Sequence, residues 1–176
     1  MDIQTRDGNK KKLSSRLSAN TFASKLLIEG PLFNTKDNKM SNSFILSGKT
    51  SYLNKTSKAF YSYLDSTGVG LPYTFSDLYG KLSFFSENGS KVNIYGFGFN
   101  DNVNFIELTE MGWLNYGFGT NILLVPSSAK MLVEGKMSYS KYDVFQENYG
   151  QPKNSSSIGG YNIGLHFSYF ISQKHK

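Results

Sequence analysis

The fold class is decided by one stretch of the sequence, Leu114-Asn115-Tyr116-Gly117-Phe118-Gly119-Thr120-Asn121-Ile122-Leu123-Leu124. Its large apolar side chains stand mostly at every second position, and the residues between them are mainly asparagine and glycine. A repeat of two is the repeat of a β-strand, because successive side chains of a strand point to opposite faces of the sheet. The stretch therefore predicts a strand with one apolar and one polar face.

The same alternation recurs along most of the chain. Residues 131–139 follow it, and residues 161–171 place apolar side chains without a break on one face. The repeat predicts eight strands, near residues 13–20, 22–32, 42–54, 73–86, 91–101, 113–125, 130–144 and 158–171. Turn-forming residues separate neighbouring strands, as in Glu87-Asn88-Gly89-Ser90, so that consecutive strands are expected to pair as hairpins. The predicted fold class is all-β and antiparallel.

The predicted connections differ in length. Short turns are predicted at residues 87–90 and 126–129, and longer polar connections cover about 55–72, 101–112 and 145–157. Transmembrane barrels have this asymmetry, with short turns at one end and longer loops at the other. The connection near 33–41 is a partial exception, since it lies at the short end.

Composition excludes several classes of protein. No apolar run approaches the roughly 20 residues that a membrane-spanning helix needs. The chain has no cysteine, which excludes disulfides, thiolate metal sites and cysteine nucleophiles. The net charge is +6, but the lysines are scattered, so no nucleic-acid surface is predicted. The start, residues 1–4, lacks the basic and apolar regions of a signal peptide.

Alternation alone fits a soluble barrel and a membrane barrel equally, but three further features favour the membrane. The polar faces carry few charges, and the predicted strands are longer than the roughly 5 or 6 residues of ordinary strands. Aromatic residues gather at predicted strand ends: Tyr52, Tyr73, Trp113, Tyr116, Tyr139, Tyr142, Tyr161 and Tyr169. We therefore predict an antiparallel transmembrane β-barrel, or a partial barrel of about eight strands, in the lipid of a Gram-negative outer membrane.

The candidate functional residues fall into two groups. Charged or titratable side chains on the predicted polar faces are expected to line the barrel interior, where they pair with one another or contact a plug: Glu29, Asp77, Lys81, Glu134, Lys136 and His166. Aromatic residues in a long external loop are candidate ligand contacts: Phe60, Tyr61 and Tyr63. No catalytic residue, cofactor or metal site is predicted, although His166 beside Ser168 leaves a barrel-embedded enzyme as one hypothesis.

The N-terminal half also resembles a known family. The segment Met1-Asp2-Ile3-Gln4-Thr5-Arg6-Asp7-Gly8 is similar to the last plug strand of TonB-dependent outer-membrane transporters. Residues 24–32, 44–53 and 73–82 resemble the second, third and fourth barrel strands of that family. The resemblance covers roughly residues 1–100, and the remainder agrees with it in strand rhythm.

The resemblance implies a plugged barrel of roughly 22 strands that imports a scarce nutrient with energy from the TonB complex. It divides the chain into a plug-like end, residues 1–8, and a barrel region, residues 9–176. Most of the plug, the TonB-contacting segment and further strands are missing from this pattern, so the rest of the barrel and plug are expected partners. Because eight strands can also close alone, a stand-alone barrel with a structural or adhesion role is the alternative.

Overall fold

The computed structural model describes residues 5–33, 40–60, 63, 70–127 and 130–170. These residues form one eight-stranded sheet: β1 (Ser14–Ala19), β2 (Ala23–Gly30), β3 (Met40–Ser51), β4 (Tyr73–Ser86), β5 (Lys91–Phe105), β6 (Thr109–Leu124), β7 (Met131–Asn148) and β8 (Asn154–Tyr169). Each strand pairs antiparallel with the next, in the order β1 to β8. A short helix, α1 (Leu53–Phe60), lies between β3 and β4. The prediction of an all-β antiparallel fold with eight strands is confirmed.

Two of the long connections are wrong predictions. Residues 101–112 were expected to form a loop, but β5 and β6 continue through most of them and meet at a tight turn where Glu107 has a φ of 59°. Residues 145–157 are likewise mostly strand, with residues 149–153 connecting β7 to β8. Both segments are rich in polar residues, which favoured a loop in the prediction. Polar residues can nevertheless form strands, because strand propensity depends on cross-strand partners. Asn102, for example, lies in β5 and donates to Glu110 on β6 across 3.0 Å.

The predicted turn at residues 87–90 is confirmed. The Ser86 backbone N–H donates to the Ser90 carbonyl across 2.9 Å, and Gly89 takes a positive φ of 88°. Of the other predicted turn, residues 126–129, the last two lie outside the described residues. The predicted connection 55–72 begins with α1, and β3 ends at Ser51, a little earlier than predicted.

Strand pairing fixes which residues share a face of the sheet. One row of partners crosses β2 to β8 through Glu29, Ile45, Lys81, Tyr95, Gly119, Ser138 and Asn162. Side chains in this row lie on one side of the sheet, called here the polar face. Residues one position along each strand lie on the other side, called the apolar face, because a strand alternates its side chains.

The two faces have inverted burial. Large side chains of the apolar face are exposed, including Leu26, Leu46, Leu78, Ile94, Phe118 and Ile163. In contrast, Ser43, Ser83, Lys81 and Asn93 of the polar face are buried, and Ile45 is the one buried hydrophobic residue in the described part of the chain. Soluble proteins bury apolar side chains and leave charged ones in water. This sheet does the reverse.

The described sheet is open. Its edge strands, β1 and β8, pair with β2 and β7 and not with each other. They also differ in length, with 6 residues in β1 and 16 in β8. No helix among the described residues is long and apolar enough to cross a membrane.

Candidate functional site

An N-terminal segment, residues 5–10, lies across the polar face of β2 to β5. Tyr79 on β4 donates its hydroxyl hydrogen to Thr5 Oγ1 across 2.8 Å, and the Lys81 ammonium donates to the Thr5 carbonyl across 2.8 Å. Gly8 approaches β3 so closely that an added Cβ would overlap the carbonyl of Phe44. Only glycine fits such an approach without moving the backbone. Residues 5–10 therefore pack specifically against the polar face of the sheet.

Asp7 is the electrostatic centre of this contact. Its two carboxylate oxygens accept from Lys81 and Lys91, each across 2.8 Å, and Ser83 donates its hydroxyl to the same carboxylate across 3.2 Å. Burial alone would raise the pKa of Asp7, but the two lysines outweigh it and hold that pKa below the usual range of an aspartate. Because the Lys81 side chain is only 5% exposed, its charge depends on Asp7 for neutralisation.

Two further contacts extend the attachment. Arg6 makes two hydrogen bonds to the Glu29 carboxylate, at 2.8 and 3.2 Å, in the bidentate geometry that favours arginine over lysine. The Lys10 ammonium lies 3.2 Å from the centre of the Phe85 ring, within the range of a cation–π contact. Side chains from three strands, β2, β4 and β5, thus hold residues 6–10 in place.

The six polar residues predicted to line an interior all lie on the polar face, but they do not form one cluster. Glu29 and Lys81 contact the N-terminal segment. Asp77 lies 3.9 Å from Lys49, and Glu134 and Lys136 line a cavity of about 720 Å³ beside Thr5. The ligand role predicted for this set stays a prediction.

His166 stands apart near the open edge of the sheet. Its Nε2 lies 3.1 Å from the Ser168 hydroxyl oxygen, and both residues are on β8. Glu134 is its cross-strand partner on β7, but no carboxylate in the described chain is hydrogen-bonded to the imidazole. Serine hydrolases need a third group that orients the base, and this pair lacks one here. Nor do the described residues contain a group of three or more histidine, aspartate or glutamate side chains that suits a metal ion.

A second site, the aromatic cleft, lies on the polar face beyond the N-terminal segment. It has a volume of about 420 Å³. Five aromatic side chains line it: Tyr73, Phe75, Phe99, Trp113 and Tyr142. Four polar side chains complete the lining: Lys49, Asp77, Asp101 and Asn115. Of these nine residues, the sequence analysis named Asp77 as an interior candidate, and it named Tyr73, Trp113 and Tyr142 only as aromatic residues at strand ends.

The cleft was not predicted as a site, because strand pairing, and not sequence spacing, brings its residues together. Asp77 pairs with Phe99, Asp101 with Trp113, and Asn115 with Tyr142. Each pair joins positions on neighbouring strands, and the register depends on connections whose lengths were predicted incorrectly. The alternation along each strand was the available signal for the cleft, since it already placed these residues on the less apolar face.

Two of the three external aromatic candidates lie in the described part of the chain, away from the cleft. Phe60 ends α1 and is 61% exposed, and Tyr63 is 78% exposed. Tyr61 lies outside the described residues. Neither Phe60 nor Tyr63 lines the aromatic cleft, and the ligand role of all three residues stays a prediction.

Comparisons of this chain with protein families, with curated proteins and with solved structures find no match.

Proposed function

We propose that this chain forms part of the wall of a transporter barrel of the TonB-dependent kind in a Gram-negative outer membrane. One observation carries the proposal. The apolar face of the sheet is exposed, whereas part of its polar face is covered by residues 5–10, which are not a strand of the sheet. In this proposal the apolar face contacts lipid and the polar face lines the interior. Residues 1–8 are then the end of a plug, and residues 9–176 belong to the barrel.

The apolar face supports the lipid contact on energetic grounds. Apolar surface left in water costs about 25 cal/mol for each Å², and the exposed side chains of this face run across all strands from β1 to β8. Leu17 on β1 is 72% exposed and Ile163 on β8 is 75% exposed. A hydrocarbon environment removes this cost. The backbone polar groups of β2 to β7 pair with neighbouring strands, and in this proposal the rest of the barrel pairs those at the edges of β1 and β8, as a membrane interior requires.

The covered polar face supports the transporter interpretation over a plain structural barrel. A stand-alone barrel of eight strands closes by pairing β1 with β8, but the described strands leave these edges unpaired and unequal in length. The segment bound through Asp7 precedes β1 and is not a strand of the sheet. It covers part of the polar face, as the plug of a transporter covers the interior of its barrel. The proposed partners are the rest of the barrel and plug, the TonB complex and a nutrient ligand.

The proposal can be tested in vesicles, because a chain without cysteine accepts single-cysteine labels without background. Ile94→Cys and Tyr95→Cys occupy neighbouring positions of β5 on opposite faces. Each variant, labelled with bimane, is reconstituted in phosphatidylcholine vesicles with bromine on the acyl chains. We expect strong quenching at position 94 and little at position 95. Equal quenching at both positions, or none at position 94, would overturn the proposal.

A further inference from the structure

The aromatic cleft combines rings from four neighbouring strands. Tyr73 and Phe75 come from β4, Phe99 from β5, Trp113 from β6 and Tyr142 from β7. Ligand pockets of about 300–1,000 Å³ are typically lined by aromatic side chains with a few polar groups that fix orientation. A cleft of about 420 Å³ lies inside that range.

The cleft carries charges of both signs. Lys49 lies 3.9 Å from the Asp77 carboxylate and 4.3 Å from the centre of the Phe75 ring, so this cation already occupies the aromatic face and the carboxylate that a cationic ligand would use. An anionic ligand would meet Asp77 and Asp101. An anionic ligand therefore faces repulsion from two carboxylates, and a cationic ligand would have to displace Lys49 from Asp77 and Phe75 or bind at Asp101 alone. A neutral ligand meets neither cost.

The polar groups suit a ligand with many hydroxyls. Asp77 and Asp101 accept hydrogen bonds, Lys49 donates them, and the Asn115 amide does both. Tyr73 donates to Asp101 across 3.1 Å, which holds a carboxylate beside an aromatic ring. The face of an aromatic ring is negative and attracts the partly positive C–H groups of a sugar ring, while the sugar hydroxyls point outward to such donors and acceptors.

From this arrangement we infer that the aromatic cleft binds a short neutral saccharide. The inference rests on the proposed function, because it names the class of nutrient that a cleft on the interior side would recognise. Stacking on Trp113 and Tyr142 supplies the apolar contact, and Asp101 and Asn115 bind the hydroxyls.

The single tryptophan of the chain allows a direct test, since Trp113 lies in the cleft and all tryptophan emission reports on it. The chain in detergent is titrated with maltohexaose, cellohexaose, xylohexaose and mannohexaose. Ferric citrate and tetramethylammonium chloride serve as anionic and cationic probes. We expect a saturable change in emission with at least one hexasaccharide, and weaker or no binding of the two charged probes.

Two variants locate the binding site. Asp101→Asn preserves shape and removes the charge, and Tyr142→Ala removes one ring; each is expected to weaken saccharide binding at least tenfold. Phe118→Ala removes a ring from the apolar face of β6 and is expected to leave binding unchanged. Equal weakening by Phe118→Ala would overturn the inference, as would tighter binding of either charged probe or no response to any hexasaccharide at millimolar concentration.

The vesicle experiment separates failure of this inference from failure of the proposed function. Quenching at position 94 and not at position 95, without any saccharide binding, would sink the saccharide inference and leave the membrane barrel standing. Saccharide binding without the alternating quenching would remove the membrane barrel and with it the basis of the inference.

Discussion

The two halves of the polar face differ in what covers them. On β4 the N-terminal segment contacts Lys81 and Ser83, and both are buried, whereas the polar face of β8 is exposed along almost its whole length. The strand pattern is the same in both halves. The difference teaches that a polar sheet face becomes an interior only when another segment supplies partners for its charges, as Asp7 does for Lys81.

The largest effect on this difference is expected from Asp7→Ala. The substitution leaves Lys81 buried without its carboxylate, and removing one partner of a buried ion pair costs about 3 kcal/mol. We expect the N-terminal segment to detach, so that trypsin cleaves after residues 10–12 far faster than in the unaltered chain. Asp143→Ala is the matched control, because it removes an aspartate that contacts Ser157 and Lys141 near the solvent and lies away from the N-terminal segment. Equal cleavage in both variants would contradict the attachment through Asp7.

Gly8→Ala is expected to have the next largest effect. The new Cβ would overlap the Phe44 carbonyl, so the segment must lift from β3 at a cost of about 1–3 kcal/mol. Urea titration measures this cost when a fluorophore attached to the N-terminal segment reports its release from the sheet. Gly98→Ala in β5 is the control, because an added Cβ there meets nothing within 4 Å and removes the flexibility of a strand glycine. If the two variants lower the free energy of segment release equally, the close approach of Gly8 to the Phe44 carbonyl is contradicted.

Low pH is expected to release the segment partially. The pKa of Asp7 is lower in the attached state than in the free segment, so attachment is fully present above the pKa of free aspartate, about 3.9, and is lost as pH falls through the lower attached value. Protease sensitivity measured from pH 6 downward should rise only at the acidic end. Asp7→Asn should remove this step; a step of unchanged size in that variant would assign it to another carboxylate.

The smallest effect is expected from Arg6→Ala. The Arg6 side chain is 58% exposed and that of Glu29 is 13% exposed, and an ion pair with one partner in solvent contributes about 1 kcal/mol that salt screens. The loss of attachment should be small and should vanish at high salt. A loss as large as that in Asp7→Ala, or one that salt does not change, would show that the bidentate pair with Glu29 matters more than its exposure indicates.

Much of the fold could be predicted from the sequence, because a repeat of two is read directly from alternating side chains. The predicted and observed bounds of β4 agree, and all eight strands are present. The strand extensions beyond residue 101 and beyond residue 144 were missed, since Asn102 and Glu110 stabilise each other only after their strands have paired. Local sequence does not show such partners.

The candidate sites were predicted less completely. Lys81 and Glu29 were found because charged residues stood out within alternating strands, but their partners Asp7 and Arg6 lie in a segment with no alternation. The aromatic cleft was missed for a related reason, since Trp113 meets Asp101 through the register of two strands. Contacts between distant parts of the chain depend on register and on segment placement, which periodicity does not determine.

The central claim is that alternate side chains of residues 114–124 face lipid and the barrel interior. A nitroxide scan along β6 tests this claim most directly. Labels are placed singly at Leu114, Tyr116, Phe118 and Ile122 on one face, and at Asn115, Asn121 and Leu123 on the other, in the chain reconstituted in vesicles. We expect collision with oxygen, which concentrates in lipid, to peak at the first set, and collision with a water-soluble nickel chelate to peak at the second. Reversed peaks, or accessibility with no repeat of two, would contradict the claim.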